Sequence, residues 1–317
     1  MKLGPRELRD RARQAEEQYR HCLLCAHRCR VDRTGGPAGR CHEGTSVFLA
    51  GAGLHFGEEP PLVGARGSGL VLIAGCNLAC ATCETAGFSL LRRGVTECSE
   101  PQLAALFLDL SRRGAANLNL VTPTHVMPAL LGGLARAAEH GFDLPVVWNC
   151  GGYESLEALE LLDGVVDVYL PDAKYGDDAA ALQLSGCAGY TAALGESLRE
   201  MHRQVGALRI GADGLASQGV LVRHLVLPAG AAASAAAMRL VAAVCDETWV
   251  NVLSQYRPVH EAQRFPIVAR TVRPDEVRFA VDAALAAGLR NVLVDGRRGA
   301  PDSGARAGQP ERRSLLD

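Results

Sequence analysis

The sequence predicts an α/β fold: a partial (β/α) barrel carrying an N-terminal four-cysteine metal-binding extension. Three observations predict it. Seven short segments rich in Val, Leu and Ile recur from residue 70 onward. They do not alternate polar with apolar, as expected of parallel strands covered on both faces. Helix-period segments lie between them, and repeated strand–helix units imply a parallel sheet with right-handed crossovers. A doubly wound sheet is the alternative, and either arrangement puts functional residues at the carboxyl ends of strands.

Taken in order, residues 5–20 read as a charged helix and 21–45 as a cysteine-rich knot, so that 1–62 form the extension. The barrel, 63–296, has its strands at Leu70–Ala74, Asn117–Val121, Pro145–Asn149, Val165–Leu170, Val220–Leu227, Trp249–Leu253 and Asn291–Val294. A helix follows Ser99, a good N-cap, with Pro101 in its first turn, and runs to Arg113. Further helical patterns cover 127–140, 154–163, 196–205, 234–245 and 274–288. Residues 297–317, mostly Gly, Ala, Arg, Ser and Pro, read as a flexible tail.

The chain has 317 residues, 33 Lys and Arg against 35 Asp and Glu, and a formal net charge of -2. A chain this long can bury a core without disulfide staples. Its balanced charge argues against a general nucleic-acid binder, which needs a basic face. The charged start does not read as a signal peptide. No apolar run reaches the roughly 18 residues that span a bilayer. The expectation is a cytoplasmic protein bound to neither membrane nor nucleic acid, with reduced thiols. Its eleven cysteines then read as metal ligands, catalytic thiols or inert core residues. Lys2 and Lys174 are the two lysines, which makes Lys174 conspicuous.

At the end of the first barrel strand stand Cys76, Cys80 and Cys83, a C-x3-C-x2-C. A [4Fe–4S] cluster normally takes four protein ligands, so three leave one iron open. A structural zinc site would want four. This loop resembles that of the radical SAM superfamily, whose cluster binds S-adenosyl-L-methionine at the open iron and cleaves it to a 5'-deoxyadenosyl radical. Thr82 stands where that family usually has an aromatic residue before the third cysteine.

The resemblance covers roughly residues 55 to 260. The second strand ends in Thr122-Pro123-Thr124-His125, where many members carry Gly-Gly-Glu to hold the amino group of the cofactor. Thr122, Thr124 and His125 offer polar atoms there. Asn149 lies in a turn similar to one near the methionyl and ribose groups. Asp172 and Lys174 are similar to the Asp-x-Lys of the pyruvate formate-lyase activating enzymes, and Arg223 to their Arg-x-x-x-x-Pro strand. Runs at His55–Pro61 and Ser254–Pro258 are similar to those of an activating-enzyme-like branch. The resemblance implies the radical SAM form of the partial barrel and a flavodoxin- or ferredoxin-type electron donor. Chemically, Asp172 suits an ammonium, ribose hydroxyls or a small cation, and Arg223 a bidentate carboxylate clamp. A rim salt bridge for Arg223 and a solvated surface position for Lys174 are the plainer readings.

Cys22, Cys25, Cys29 and Cys41 form a C-x2-C-x3-C-x11-C knot, with Gly35, Gly36 and Gly39 free to fold the intervening loop. Four thiolates can close a zinc site or hold a second [4Fe–4S] cluster, and both remain open. His21, His27 and His42 flank it. Of the other thiols, Cys245 reads as core, Cys98 as ordinary, and Cys187 as accessible between its glycines. Cys150 follows the third strand and is expected to face the barrel mouth as a hydrogen-atom donor; the plainer reading is a small buried residue. Glu58 and Glu59 either bind substrate hydroxyls or cap the knot. Tyr256 and Arg257 either contact substrate or hold the rim.

The expected reaction is epimerisation of a small carbohydrate-type molecule with thiol hydrogen return, resembling the radical SAM epimerases of sugar and antibiotic pathways. The alternatives are glycyl-radical activation of a partner enzyme and a non-catalytic iron–sulfur scaffold or sensor.

Overall fold

The computed structural model describes residues 3–298, so the tail expected beyond Arg298 lies outside the described residues. Helix α1 (Pro5–Glu16) and a 3-10 turn (Glu17–Tyr19) precede the knot, followed by β1 (Val47–His55), α2 (Pro60–Val63), β2 (Ser68–Ile73), α3 (Ala86–Ser89) and β3 (Thr96–Cys98). Then come α4 (Glu100–Arg112), β4 (Leu118–Val121), α5 (Met127–Glu139), β5 (Val146–Cys150), α6 (Leu156–Leu162) and β6 (Val168–Pro171). The last third holds α7 (Asp178–Ser185), α8 (Tyr190–Val205), β7 (Arg209–Ile210), β8 (Ala216–Leu225), α9 (Ser234–Val244), β9 (Trp249–Leu253), α10 (Pro274–Ala286), β10 (Asn291–Val294) and β11 (Arg297–Arg298).

Local chemistry explains the helix starts. Gln102 reaches back to the Ser99 N–H at 2.9 Å, with Pro101 in the first turn of α4. Ser155 accepts from the Ala158 N–H at 3.1 Å to open α6, and Asp177 accepts from Ala179 and Ala180 to open α7. Helix α1 buries Leu8, Ala12 and Ala15, spaced as one helix face.

The fold is α/β with a mixed eleven-stranded sheet in the order β11-β10-β9-β8-β6-β5-β4-β2-β1-β3, with β7 on β8. Strands β2, β4, β5, β6, β8, β9 and β10 are parallel neighbours in chain order. That order lacks the reversal of a doubly wound sheet. Strand β1, in the segment expected to be extension, runs antiparallel to β2 and extends the sheet. Its Gly- and Ala-rich sequence carries little strand propensity.

Side chains alternate across the sheet, and the two faces are covered differently. Val71, Ile73, Leu118, Leu120, Trp148, Tyr169, Val220, Val222, Val250 and Val252 pack in the large core with the helices. The opposite, inner face carries a small core in which Leu62 meets Val147, Val168, Leu170, Leu208 and Leu221. The segment from Glu58 to Leu62 therefore lies against the inner face. Among the described residues, no helix is long and apolar enough to cross a membrane.

Candidate functional site

The inner face carries a buried polar cluster fed by neighbouring strands. Asp172, just past β6, accepts from Lys174 Nζ and Arg223 Nε, each at 2.7 Å. Arg223, on β8, also donates to Asn149 Oδ1 on β5 at 2.6 Å and lies 3.5 Å from Glu58 Oε2. Asn251 on β9 donates to Glu59 Oε1 at 2.9 Å. Asn119 on β4 lies against Glu58, yet neither its amide oxygen nor its nitrogen makes a well-formed hydrogen bond. The backbone that sets this geometry is tied down by Tyr190: its hydroxyl bridges the Gly151 and Asp172 carbonyls and accepts from the Lys174 N–H, each at 2.9 Å.

Charge follows from these contacts. Burial alone would raise the Asp172 carboxyl, but Arg223 and Lys174 outweigh it and hold it below the usual carboxylate range. Glu58 goes the other way: burial dominates and Glu59 adds repulsion, so that even beside Arg223 it is pushed up to about 7. Asn119, Asn149 and Asn251 each break an otherwise apolar strand, the sequence signal that marks Asn119 and Asn251 as members of this cluster.

The three-cysteine loop leaves the end of β2. Cys76 accepts the Leu78 N–H at 3.4 Å, Ala79 turns the chain with a left-handed φ of 49°, and Cys83 meets the hydroxyls of Thr85 and Ser89. Cys80 lies near Lys174 and the Ser185 hydroxyl. These thiols are surrounded by donors and a cation, the partners a thiolate ligand needs. His125 Nε2 meets the Ala74 carbonyl at 2.8 Å just before the loop. Burial pushes His125 down to about 4, so the ring is neutral and its Nε2 carries the proton that bonds the carbonyl. His125 thus supports the loop's base, while Thr124 donates to Glu154 at 2.8 Å. Thr122, expected to offer a polar atom at this strand end, adopts a φ of 57°, a strained conformation for a β-branched residue.

In the knot, Cys25 neighbours Cys22, Cys29 and Cys41. The N–H groups of His27 and Glu43 lie toward Cys25 and Cys41, and the Arg40 N–H is 3.4 Å from Cys29. Buried Arg33 spreads its guanidinium over the Glu43 and Gly44 carbonyls and the Cys22 sulfur, at 2.9, 2.6 and 3.7 Å. A buried cation wants an anion nearby, which a metal-bound thiolate supplies. The donor set therefore fits a thiolate metal site, although among the described residues no group of three or more Cys, His, Asp or Glu is already gathered to hold a metal ion. The knot docks on the sheet's rim: the Ser155 hydroxyl donates to the Leu23 carbonyl, Arg28 pairs with Glu157 at 2.7 Å, and His27 Nε2 meets the Asn77 carbonyl at 2.9 Å.

Several expected site residues lie elsewhere. Cys150 follows Asn149 in β5, so its side chain faces the helices; it sits in the large core beside Glu154 rather than at the inner face. Cys187 is fully buried, against the expectation of access, with its sulfur 3.8 Å from His27 Nε2. Tyr256 is buried and spends its hydroxyl on the Val268 carbonyl at 2.7 Å, while Arg257 is exposed. Cys245, expected in the core, is half-buried. Glu58 and Glu59 face the inner cluster and do not cap the knot. Glu154, a fully desolvated carboxyl between Thr124 and Cys150, is a further buried group that nothing in its local sequence marks.

No family model matches the chain. It is similar to an uncharacterized protein of Methanocaldococcus jannaschii, 29% identical over 278 residues that cover 85% of this chain and 76% of that protein.

Proposed function

We propose that this chain is a radical S-adenosyl-L-methionine enzyme on a partial β/α barrel, abstracting hydrogen from a small polar substrate. The observation that carries the reading is the juxtaposition at one end of the parallel strands. Three thiols on a donor-lined loop stand at the end of β2, and Cys80 lies near Lys174 of the buried Asp172–Arg223–Asn149 cluster.

Cys76, Cys80 and Cys83 would hold a [4Fe–4S] cluster, whose ligands sit on different irons and so spread more widely than those of a single ion. When bound, that group supplies the electron that cleaves S-adenosyl-L-methionine to the 5'-deoxyadenosyl radical. Arg223 is held rigid by Asp172 and Asn149, which suits it to orient a carboxylate. Lys174, shared between Asp172 and the neighbourhood of Cys80, keeps positive charge beside the thiolates. The knot would hold zinc or a second cluster, and a flavodoxin- or ferredoxin-type protein would deliver the electron.

A small substrate is favoured over the peptide loop of a partner enzyme because Leu62 packs against Val147, Val168 and Leu170, so that residues 58–62 already occupy part of the inner face. Epimerisation of a carbohydrate-type molecule remains the proposed outcome, but with Cys150 on the helix side its thiol is not the assigned donor. Anaerobic protein with a one-electron reductant and S-adenosyl-L-methionine should release 5'-deoxyadenosine. A non-catalytic scaffold or sensor would release none.

A further inference from the structure

The polar cluster of the inner face is unbalanced. Asp172 engages both Lys174 and Arg223 at 2.7 Å. Glu58 has Arg223 at 3.5 Å, and Glu59 takes one amide bond from Asn251. The Oε2 atoms of Glu58 and Glu59 and both amide atoms of Asn119 are buried without hydrogen-bond partners. Such atoms are costly unless something satisfies them, and a fold retains them where a ligand does so. Glu59 is buried, and side-chain exposure rises from 13% at Glu58 to 20% at Asp172 and 28% at Lys174, so the cluster opens on the Lys174 side. Arg223 stands 3.5 Å from Glu58 Oε2, so the least satisfied groups are Glu59 Oε2 and the Asn119 amide, which beside Glu58 call for a cation that donates several hydrogen bonds.

We infer that Glu58, Glu59 and Asn119 form a subsite for the ammonium group of a small ligand. The three N–H donors of a primary ammonium match two carboxylate oxygens and the Asn119 carbonyl, while a neighbouring hydroxyl accepts from the Asn119 amide. A purely hydroxylated ligand leaves the excess negative charge unanswered. Taking the ligand to be the substrate, an amino sugar or similar amino alcohol, rests on the function proposed above; the subsite rests on these side chains alone.

The test is thermal denaturation of the full-length anaerobic protein, wild type and Glu59→Gln, without ligand and with D-glucosamine, ethanolamine, D-glucose, ethylene glycol or S-adenosyl-L-methionine. Glu59→Gln keeps the acceptor for Asn251 and removes one of two carboxylates that repel each other beside Arg223, so the ligand-free variant should melt about 2–4 °C higher. The two amines should raise the wild-type melting temperature by mass action and fail to raise that of Glu59→Gln, while the two uncharged compounds shift neither. Lower melting of the variant, equal shifts by amines and uncharged analogues, or no amine shift would overturn the subsite. A shift by S-adenosyl-L-methionine alone, lost in Glu59→Gln, would overturn its assignment to substrate. Failure of wild type to cleave S-adenosyl-L-methionine would sink the radical function yet leave the amine-dependent stabilisation standing.

Discussion

Asp172 holds two cations at once, and removing its charge should be expensive. Asp172→Asn strips Lys174 of its carboxylate and leaves Arg223 only the more distant Glu58, at 3.5 Å. Breaking a buried pair this way typically costs about 3–5 kcal/mol. Urea unfolding should show a loss of that order, and a loss below about 1 kcal/mol would mean that water already screens the cluster. Glu58 gives a pH signature. Its folded pKa of about 7 lies above the ordinary 4.5, so its contribution is present below about 4.5 and is lost as pH rises through 7. Its contribution to stability should therefore fall between about pH 4.5 and 7 and be flat above that, and Glu58→Gln should remove that slope. Buried Glu43 and Glu154 are also raised and slope the same way, whereas His125 and His202, near 4, cost stability only as pH falls below the ordinary histidine value of 6.5. The difference between wild type and Glu58→Gln isolates Glu58. Asp172, Lys174 and Arg223 were legible in the sequence because each is a charge at a strand end. Asn119 and Asn251 were hidden inside strands, and Cys150 was misplaced because one residue of register decides which face a side chain takes.

At the scale of elements, the turn from β2 into the three-cysteine loop depends on Gly75. Its φ is 90°, and a Cβ there would lie 2.4 Å from His125 Nε2 and 2.6 Å from Glu43 Oε1. Gly75→Ala should lower the melting temperature and bound iron together. Gly87→Ala, at a glycine in α3 with nothing within 4 Å, should change neither. The cap of α6 makes a second test. Ser155→Ala removes both the Ala158 cap and the tie to Leu23, and should cost about 1 kcal/mol. It should also speed proteolysis of the knot; unchanged proteolysis would mean that Arg28–Glu157 and His27–Asn77 hold the knot unaided. The seven parallel strands were readable because continuous Val, Leu and Ile runs have few other places to go. Strand β1 was not, since Gly and Ala adopt its conformation only because β2 offers an edge. Helix α7 was missed because its short Ala-rich stretch has little amphipathic pattern.

At the scale of the molecule, the chain-ordered parallel strands, the inner-face cluster and the docked knot converge on one end of the sheet. Sequence spacing alone grouped the eleven cysteines; the contacts of His27 with Asn77 and Cys187 add that the knot and the loop are neighbours. Iron and sulfide counts on anaerobic protein should separate the metals. About four irons per chain would leave the knot to zinc and about eight would give it a cluster, at four irons per cubane. The proposed function stands or falls with the loop of Cys76, Cys80 and Cys83 driving reductive cleavage of S-adenosyl-L-methionine. The most direct measurement is anaerobic release of methionine and 5'-deoxyadenosine by wild type beside Cys80→Ala. Wild type should give both products and the variant neither, and the variant should hold about four fewer irons. Equal product from both proteins, or none from a wild type that retains its iron, would contradict it.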